Sequence, residues 1–384
     1  MYVEDEEYPA HLRGGGSDGT KHGFFSRVSD WYARWERPIS SVSLIGGFVF
    51  DALTLTRVDL FWENVWVLGH LVIVALCIFF INLTENMRAR GKDPARIHFW
   101  LITILQFFFG GLLSTFLVYY FRSGTISVSW PFMLLLLLAF IANERLKHHY
   151  SRLIFQIALL SLCILAFAIF IVPVIVHSIS VWVFILSEVV SIAAIGFFLW
   201  LLHLASKEHF RRSRLPLFAV LLVIFAGINF LYFYHLIPPL PLSLKDGDIY
   251  DSFTVNSPGN YTATENPAGF FGFLDVYKPV EIPTGTPLYA YTAVFSPASF
   301  KLSVVHEWQR YSTTTAQWAT MGRITLGVTG GGDGGYRTFS EITPTLPGQW
   351  RVNVKTTSGA VIGRIDFALT FGSSTQPLQT VTIN

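Results

Sequence analysis

"FVFDALTLTRVD" (Phe48–Asp59) sets an aspartate inside a short apolar stretch and follows it with an arginine and a second aspartate. Whether this stretch crosses a membrane decides on which side each end of the chain stands. Hydropathy alone leaves the matter open, because the run Ser41–Thr56 holds Asp51 and falls short of the roughly 20 residues a helix needs to span hydrocarbon. Six further runs approach or exceed that length: Val65–Leu83, Ile97–Phe121, Ser127–Asn143, Leu153–His177, Val181–Leu204 and Leu215–Ile237. Lipid offers backbone groups no partner, so continuous apolar runs of this kind form helices and not the alternating strands of a barrel. Bulk composition agrees. The 384 residues are 52% hydrophobic and only 14% charged, and the mean hydropathy of +0.48 is far above that of a soluble protein.

Charge decides what hydropathy leaves open. Basic residues in short loops favour the cytoplasmic side. If Ser41–Thr56 crosses, the tail to Pro38 and the loops around Arg88–Arg96, Arg145–Arg152 and Lys207–Arg214 share one side and carry sixteen Lys and Arg, against Arg57 and Arg122 on the other. The expectation is therefore seven transmembrane helices over residues 39–239, a cytoplasmic tail over 1–38 and an extracytoplasmic C-terminal domain. The tail holds "SDWYARWER" (Ser29–Arg37), whose Trp31 and Trp35 share one helical face as in an interfacial helix. Acidic residues at Glu4–Glu7 predict that no cleavable secretory signal opens the chain.

After Pro238-Pro239-Leu240-Pro241 the composition turns to Gly, Thr, Ser and Pro. We read 240–247 as a linker and 248–384 as a β domain. In Leu302, Val304, His306 and Trp308, side chains two apart share one face, while Ser303, Glu307 and Gln309 lie opposite. Trp350, Val352 and Val354 alternate with Arg351, Asn353 and Lys355, and Ile365, Phe367, Leu369 and Phe371 alternate with Arg364 and Asp366. "PGQW" (Pro347–Trp350) and "TSGA" (Thr357–Ala360) supply turns, the second joining a hairpin. About seven strands predict one immunoglobulin-like β-sandwich. It must hold by core burial, because both cysteines, Cys77 and Cys163, fall in apolar runs.

"HEW" (His306–Trp308), "GYRTFSE" (Gly335–Glu341), "PGQWRVNV" (Pro347–Val354) and "GAVIGRIDF" (Gly359–Phe367) resemble a bacterial family catalogued as domain of unknown function two-nine-one-four. Its members place such a module after several membrane helices. The front of the membrane part, "FVFDALTLTRVD" with "ENVW" (Glu63–Trp66), is similar as well. The resemblance implies a bacterial inner-membrane protein. It brings no activity and no site residue.

The candidate functional residues are few. Asp51 and Glu188 stand within predicted spans, where a carboxylate faces the bundle interior, a partner or water. They serve either as a proton or ion path or as buried polar contacts. Tyr311, Tyr336 and Arg337 are the ligand candidates of the head, since Trp308 and Trp350 fall in phase with the core. "GGGDGGYR" (Gly330–Arg337) lacks the Gly-Lys-Ser/Thr of a phosphate loop and the spaced carboxylates of a calcium loop, so it reads as a connection between strands. His148-His149 decorates a basic loop. No catalytic or metal motif is present, which predicts a non-enzymatic protein without cofactor or metal. A net charge of +2 with no basic run argues against nucleic acid. The expected partners are the bilayer and an envelope protein or glycan. The alternative is a transporter or channel-like bundle using Asp51 and Glu188, with the β domain as accessory.

Overall fold

The computed structural model describes residues 45–55, 60–89, 91, 95–145, 153–205, 207–257, 260–265, 277–297, 301–329, 334–372 and 379–383. The tail with its interfacial helix, Arg57, His148-His149 and the glycines 330–332 lie outside the described residues. The chain divides into Met1–Ile45 and Gly46–Asn384, and every contact below lies within the second unit.

Among the described residues seven helices come first: α1 (Ile45–Thr54), α2 (Phe61–Ala89), α3 (Ala95–Ser123), α4 (Ile126–Arg145), α5 (Leu153–Val176), α6 (Val181–Ala205) and α7 (Lys207–Phe233). From α2 onward all six are long and apolar enough to cross a membrane. Helix α5 is apolar all round and most of its side chains are buried against α2, α3, α6 and α7, as expected of a central helix. Large side chains stay exposed on the others, Trp182 at 79% and Leu215 at 81%, which suits contact with lipid.

The described part of α1 is ten residues, about 15 Å of helix and half of the hydrocarbon core. Its C-terminal end is fixed beside the end of α3, where Arg122 Nη2 donates to the Ala52 carbonyl at 2.5 Å. That end of α3 is also the one that meets the β domain, because α3 contacts the strand Ser243–Tyr250, and Ser127, just beyond α3, accepts from Arg364 of the strand Val361–Phe371. Helix α1 therefore runs with its C-terminal end toward the β domain.

Eleven strands follow among the described residues: β1 (Ser243–Tyr250), β2 (Ser252–Ser257), β3 (Asn260–Glu265), β4 (Lys278–Ile282), β5 (Leu288–Phe295), β6 (Lys301–Ser312), β7 (Gln317–Thr329), β8 (Tyr336–Ile342), β9 (Gly348–Thr356), β10 (Val361–Phe371) and β11 (Gln379–Ile383). They form three sheets, β1-β5-β8, β4-β10-β9-β6-β7 and β11-β3-β2. The first two face each other across the main core, where Ile249, Leu288 and Ala290 meet Trp308, Trp350 and Phe367. A sandwich with Trp308, Trp350 and Phe367 inside it is as expected, but the described residues hold eleven strands in place of about seven. The small third sheet adds a layer, laying Phe253, Tyr261 and Ala263 over Tyr250, Tyr289 and Tyr291 on the back of the first. Strand β5, "LYAYTAVF", is apolar on both faces because both are covered.

Contacts at the ends of helices seat the domain on the bundle, two of them through Ile179 and Gly359. Ile179, between α5 and α6, packs against the buried cluster Leu242, Val294, Val304, Val328, Val354 and Ile362 at one end of the sandwich. The turn joining β9 and β10 holds Gly359 at φ +100°, a left-handed conformation that suits glycine, and a side chain there would meet the His235 ring at 3.0 Å.

Candidate binding face on the five-stranded sheet

Antiparallel pairing sets residues of neighbouring strands side by side on one face of a sheet. On the outer face of the five-stranded sheet, register aligns Arg364, Asn353, Glu307 and Arg323 across β10, β9, β6 and β7. The adjacent row is Asp366, Arg351, Gln309 and Thr320. The polar phase that the sequence assigns to three separate strands thus converges on one array.

Glu307 is its hub. Only 3% of its side chain is exposed, yet it points away from the sandwich core. Arg323 Nε donates to Oε1 at 2.9 Å, Lys355 Nζ bonds Oε2, and Gln309 Nε2 donates to Oε2 at 3.1 Å. Two amides carry the network outward: Asn353 Oδ1 accepts from Arg364 Nε at 2.7 Å, and Gln309 Oε1 accepts from Arg351 Nε at 2.8 Å. Arg351 also lies 4.1 Å over the Trp318 ring, against which Tyr311 packs at 5.4 Å.

The electrostatics follow from this crowding. Burial alone would raise the Glu307 carboxyl, but the hydrogen bonds and charges of Lys355 and Arg323 outweigh it and hold the group below the ordinary carboxylate value. Desolvation, with Arg364 close by, lowers Arg351 to about 10. Burial raises Asp366 against the pull of Arg364 and Arg351. Four cations, Arg323, Arg351, Lys355 and Arg364, share the face with two carboxylates, Glu307 and Asp366.

Sequence reasoning places Glu307 on an outward face and misses its burial. What hides it is pairing, since Lys355 comes from β9 and Arg323 from β7. Of the three ligand candidates, Tyr311 belongs to this face, whereas Tyr336 and Arg337 stand on β8 of the other sheet. Tyr336 is 37% exposed there, and Arg337 bonds the Tyr291 hydroxyl beside the third sheet.

His306 faces inward and is fully buried. Its Nε2 meets Thr292 Oγ1 at 2.9 Å and its Nδ1 meets Ser340 Oγ at 2.8 Å, while Trp308 Nε1 donates to the same hydroxyl at 3.0 Å. The serine-histidine pair resembles a nucleophile and base in composition, but it is sealed inside the core. Burial lowers the His306 imidazole to about 4, so it is a neutral core residue at pH 7.

Within the bundle, Asp51 adjoins Ser114 and lies in the field of His70. Nearby, the Tyr119 hydroxyl donates to Glu63 Oε2 at 2.5 Å. Gly111 lets the His70 ring approach α3, since a Cβ there would stand 3.4 Å from it. Glu188 has a separate setting, accepting from Asn229 Nδ2 at 2.5 Å between α6 and α7. Asp51 and Glu188 thus keep different company. Among the described residues no group of three or more His, Cys, Asp or Glu is placed to hold a metal ion.

Every residue of the charged array lies between β6 and β10. Residues 301–369 match the family described as "Protein of unknown function (DUF2914)". The matched segment contains the four β-domain motifs that carry the resemblance, while "FVFDALTLTRVD" and "ENVW" lie outside it. No curated protein matches the chain. A β-glucosidase from Listeria innocua in complex with glucose is similar at 14% identity over 24% of this chain and 15% of that one, with a TM-score of 0.19. An immunoglobulin-like protein from Pseudomonas aeruginosa is similar at 12% identity over 34% of this chain and 96% of its own, with a TM-score of 0.20. The alkylpurine DNA glycosylase AlkC of Pseudomonas fluorescens, bound to DNA containing an abasic site analog, shares 10% identity over 78% and 96% of the two chains at a TM-score of 0.21. Likenesses at such TM-scores carry no argument.

Proposed function

We propose that the protein is a non-enzymatic binding module of the bacterial inner membrane. Its helices hold the β domain at the outer leaflet, where the charged face of the five-stranded sheet takes an acidic envelope partner, protein or glycan. The observation that carries this reading is the Glu307 hub on β6, around which guanidinium and ammonium groups from three other strands, β7, β9 and β10, gather on one face. Fixed side chains lose little further entropy on binding. Arg351 and Arg364 are costly to keep charged where they stand, since both are lowered first by burial. An incoming carboxylate, sulfate or phosphate relieves that cost, and guanidinium groups suit such ligands. Trp318 and Tyr311 border the site with ring faces.

Orientation follows from the helices. Helices α3, α5 and α7 end toward the β domain, so the loops around Arg88–Arg96, Arg145–Arg152 and Lys207–Arg214 begin at the opposite end of the bundle. Basic loops mark the cytoplasm, which supports an extracytoplasmic head.

The test is retention of acidic and neutral polymers by the full chain in neutral-lipid nanodiscs. Heparin or polyglutamate should bind in a salt-sensitive way, dextran should not, and Arg351→Gln with Arg323→Gln should weaken binding. Equal retention of dextran, or an unaltered double variant, overturns the reading.

A second reading, of a transporting or conducting bundle, is favoured by the grouping of Asp51, Glu63, His70, Ser114 and Tyr119 on three adjacent helices. It requires a proton or ion flux in proteoliposomes that Asp51→Asn abolishes. Flux through Asp51→Asn equal to that of the parent chain rejects it.

A further inference from the structure

A groove of about 710 Å³ runs between α1, α3 and α4, within the roughly 300–1,000 Å³ typical of sites that hold a small-molecule-sized ligand. One wall is a single face of α4, where Ile126, Trp130, Leu134 and Leu137 recur at helical spacing. Helix α1 forms part of the opposite side through Phe48, whose ring lies 6.2 Å from that of Phe140, beyond Leu137 on α4. Trp130 is 56% exposed and Leu134 42%, so the groove opens sideways from the bundle, on a flank of exposed apolar side chains.

Two features identify what fills it. The first is depth. Eleven residues separate Ile126 from Leu137, which at the helical rise is about 16 Å, close to half of the roughly 30 Å hydrocarbon core. The groove is thus one leaflet deep, measured from the end of α4 that meets the β domain. The second is charge. Arg122 is the charged residue of the lining and stands at that same end, where phospholipid phosphates lie. Its Nη2 holds the Ala52 carbonyl, which fixes the guanidinium at the mouth and ties α1 to α3. An arginine fork suits phosphate oxygens.

We propose that this groove is a lipid site. It takes one acyl chain of an anionic phospholipid from the leaflet on the β-domain side, with the headgroup phosphate on Arg122. A chain-deep apolar slot with a cation at its mouth matches that molecule, whereas a water-soluble ligand would have no route in.

The experiment uses the full chain in nanodiscs of phosphatidylcholine with a minor share of phosphatidylglycerol, and counts the lipids it keeps on release by native mass spectrometry. Phosphatidylglycerol should be enriched about five-fold over its share of the bilayer, the ratio that corresponds to the ~1 kcal/mol typical of one basic side chain near an anionic surface. Arg122→Gln should still retain lipid but at the bilayer's own composition, and Arg122→Lys should keep the preference. Leu134→Trp should fill the slot and remove the bound lipid, and Ala52→Leu narrows it from the other wall if the first variant does not fold. Lipid retained at bilayer composition by the parent chain overturns the proposal, as does unchanged retention after the slot is filled. Mass of two chains without lipid, lost in Leu134→Trp, would assign the groove to a second copy and equally overturn it.

Discussion

Arg364 Nη1 donates to Ser127 Oγ at 3.2 Å, joining the outer face of the five-stranded sheet to the first turn of α4. The charged rows thus begin at the head-side end of the bundle. Strands lie about 4.8 Å apart, so the row from Arg364 to Arg323 extends roughly 14 Å from that contact.

This bond is exposed, and exposed polar contacts contribute little, typically under about 1 kcal/mol. Ser127→Ala should therefore change thermal stability by no more than about 0.5 kcal/mol. Ile179→Ala removes an apolar contact from a buried cluster and should cost about 1–2 kcal/mol, less than a fully buried isoleucine because Ile179 is only partly covered. Thermal unfolding of the full chain in detergent compares the two, and a larger effect from Ser127→Ala would contradict the seating described.

Glu307→Gln should destabilise the β domain by about 2 kcal/mol, mainly because it leaves the largely covered Lys355 without its anion, whereas Arg323 is 67% exposed and stays hydrated. Adding Lys355→Met should recover part of the loss. Denaturant midpoints of the single and double variants measure the coupling, and additive effects would mean that the hub does not act as a unit.

Acid should weaken the head in two stages. The folded His306 value of about 4 lies below the unfolded value of about 6.5, so the unfolded chain binds the extra proton between them. Stability is then full above about pH 6.5 and falls toward pH 4, by about 3 kcal/mol in all. Glu307 is lowered too, so its contribution is present above the ordinary carboxylate value and disappears as pH drops through its folded one. His306→Gln should flatten the first stage and leave the second; an unchanged slope from pH 6.5 to 4 would exclude the assignment.

Gly359→Ala should cost about 1–3 kcal/mol, because the left-handed backbone strains any side chain and the added carbon meets the His235 ring. A smaller penalty in His235→Ala than in the parent would separate the ring clash from the backbone strain.

Much of the architecture is written in local pattern. The runs that become α2 to α7 needed only their length, and the alternation around Trp308, Trp350 and Phe367 names the core of the sandwich. Glu307 was hidden because its partners sit 16 and 48 residues away, and only register brings Arg323 and Lys355 to it. The third sheet was hidden because "SFTVNS" and "NYTATE" carry few apolar residues. A cue lay elsewhere, in β5: a strand apolar on both faces needs a cover on both. Tyr311 and Tyr336 look alike in sequence as aromatic loop neighbours, and strand order alone assigns them to different sheets.

Ile179 carries a lesson about modularity. A head clipped from its helices between β1 and α7 would float away with an oily sole, lacking the plug that the α5–α6 turn provides. Shed fragments of this protein should therefore clump or be degraded, because the base of the β domain is completed by a residue that belongs to the helices.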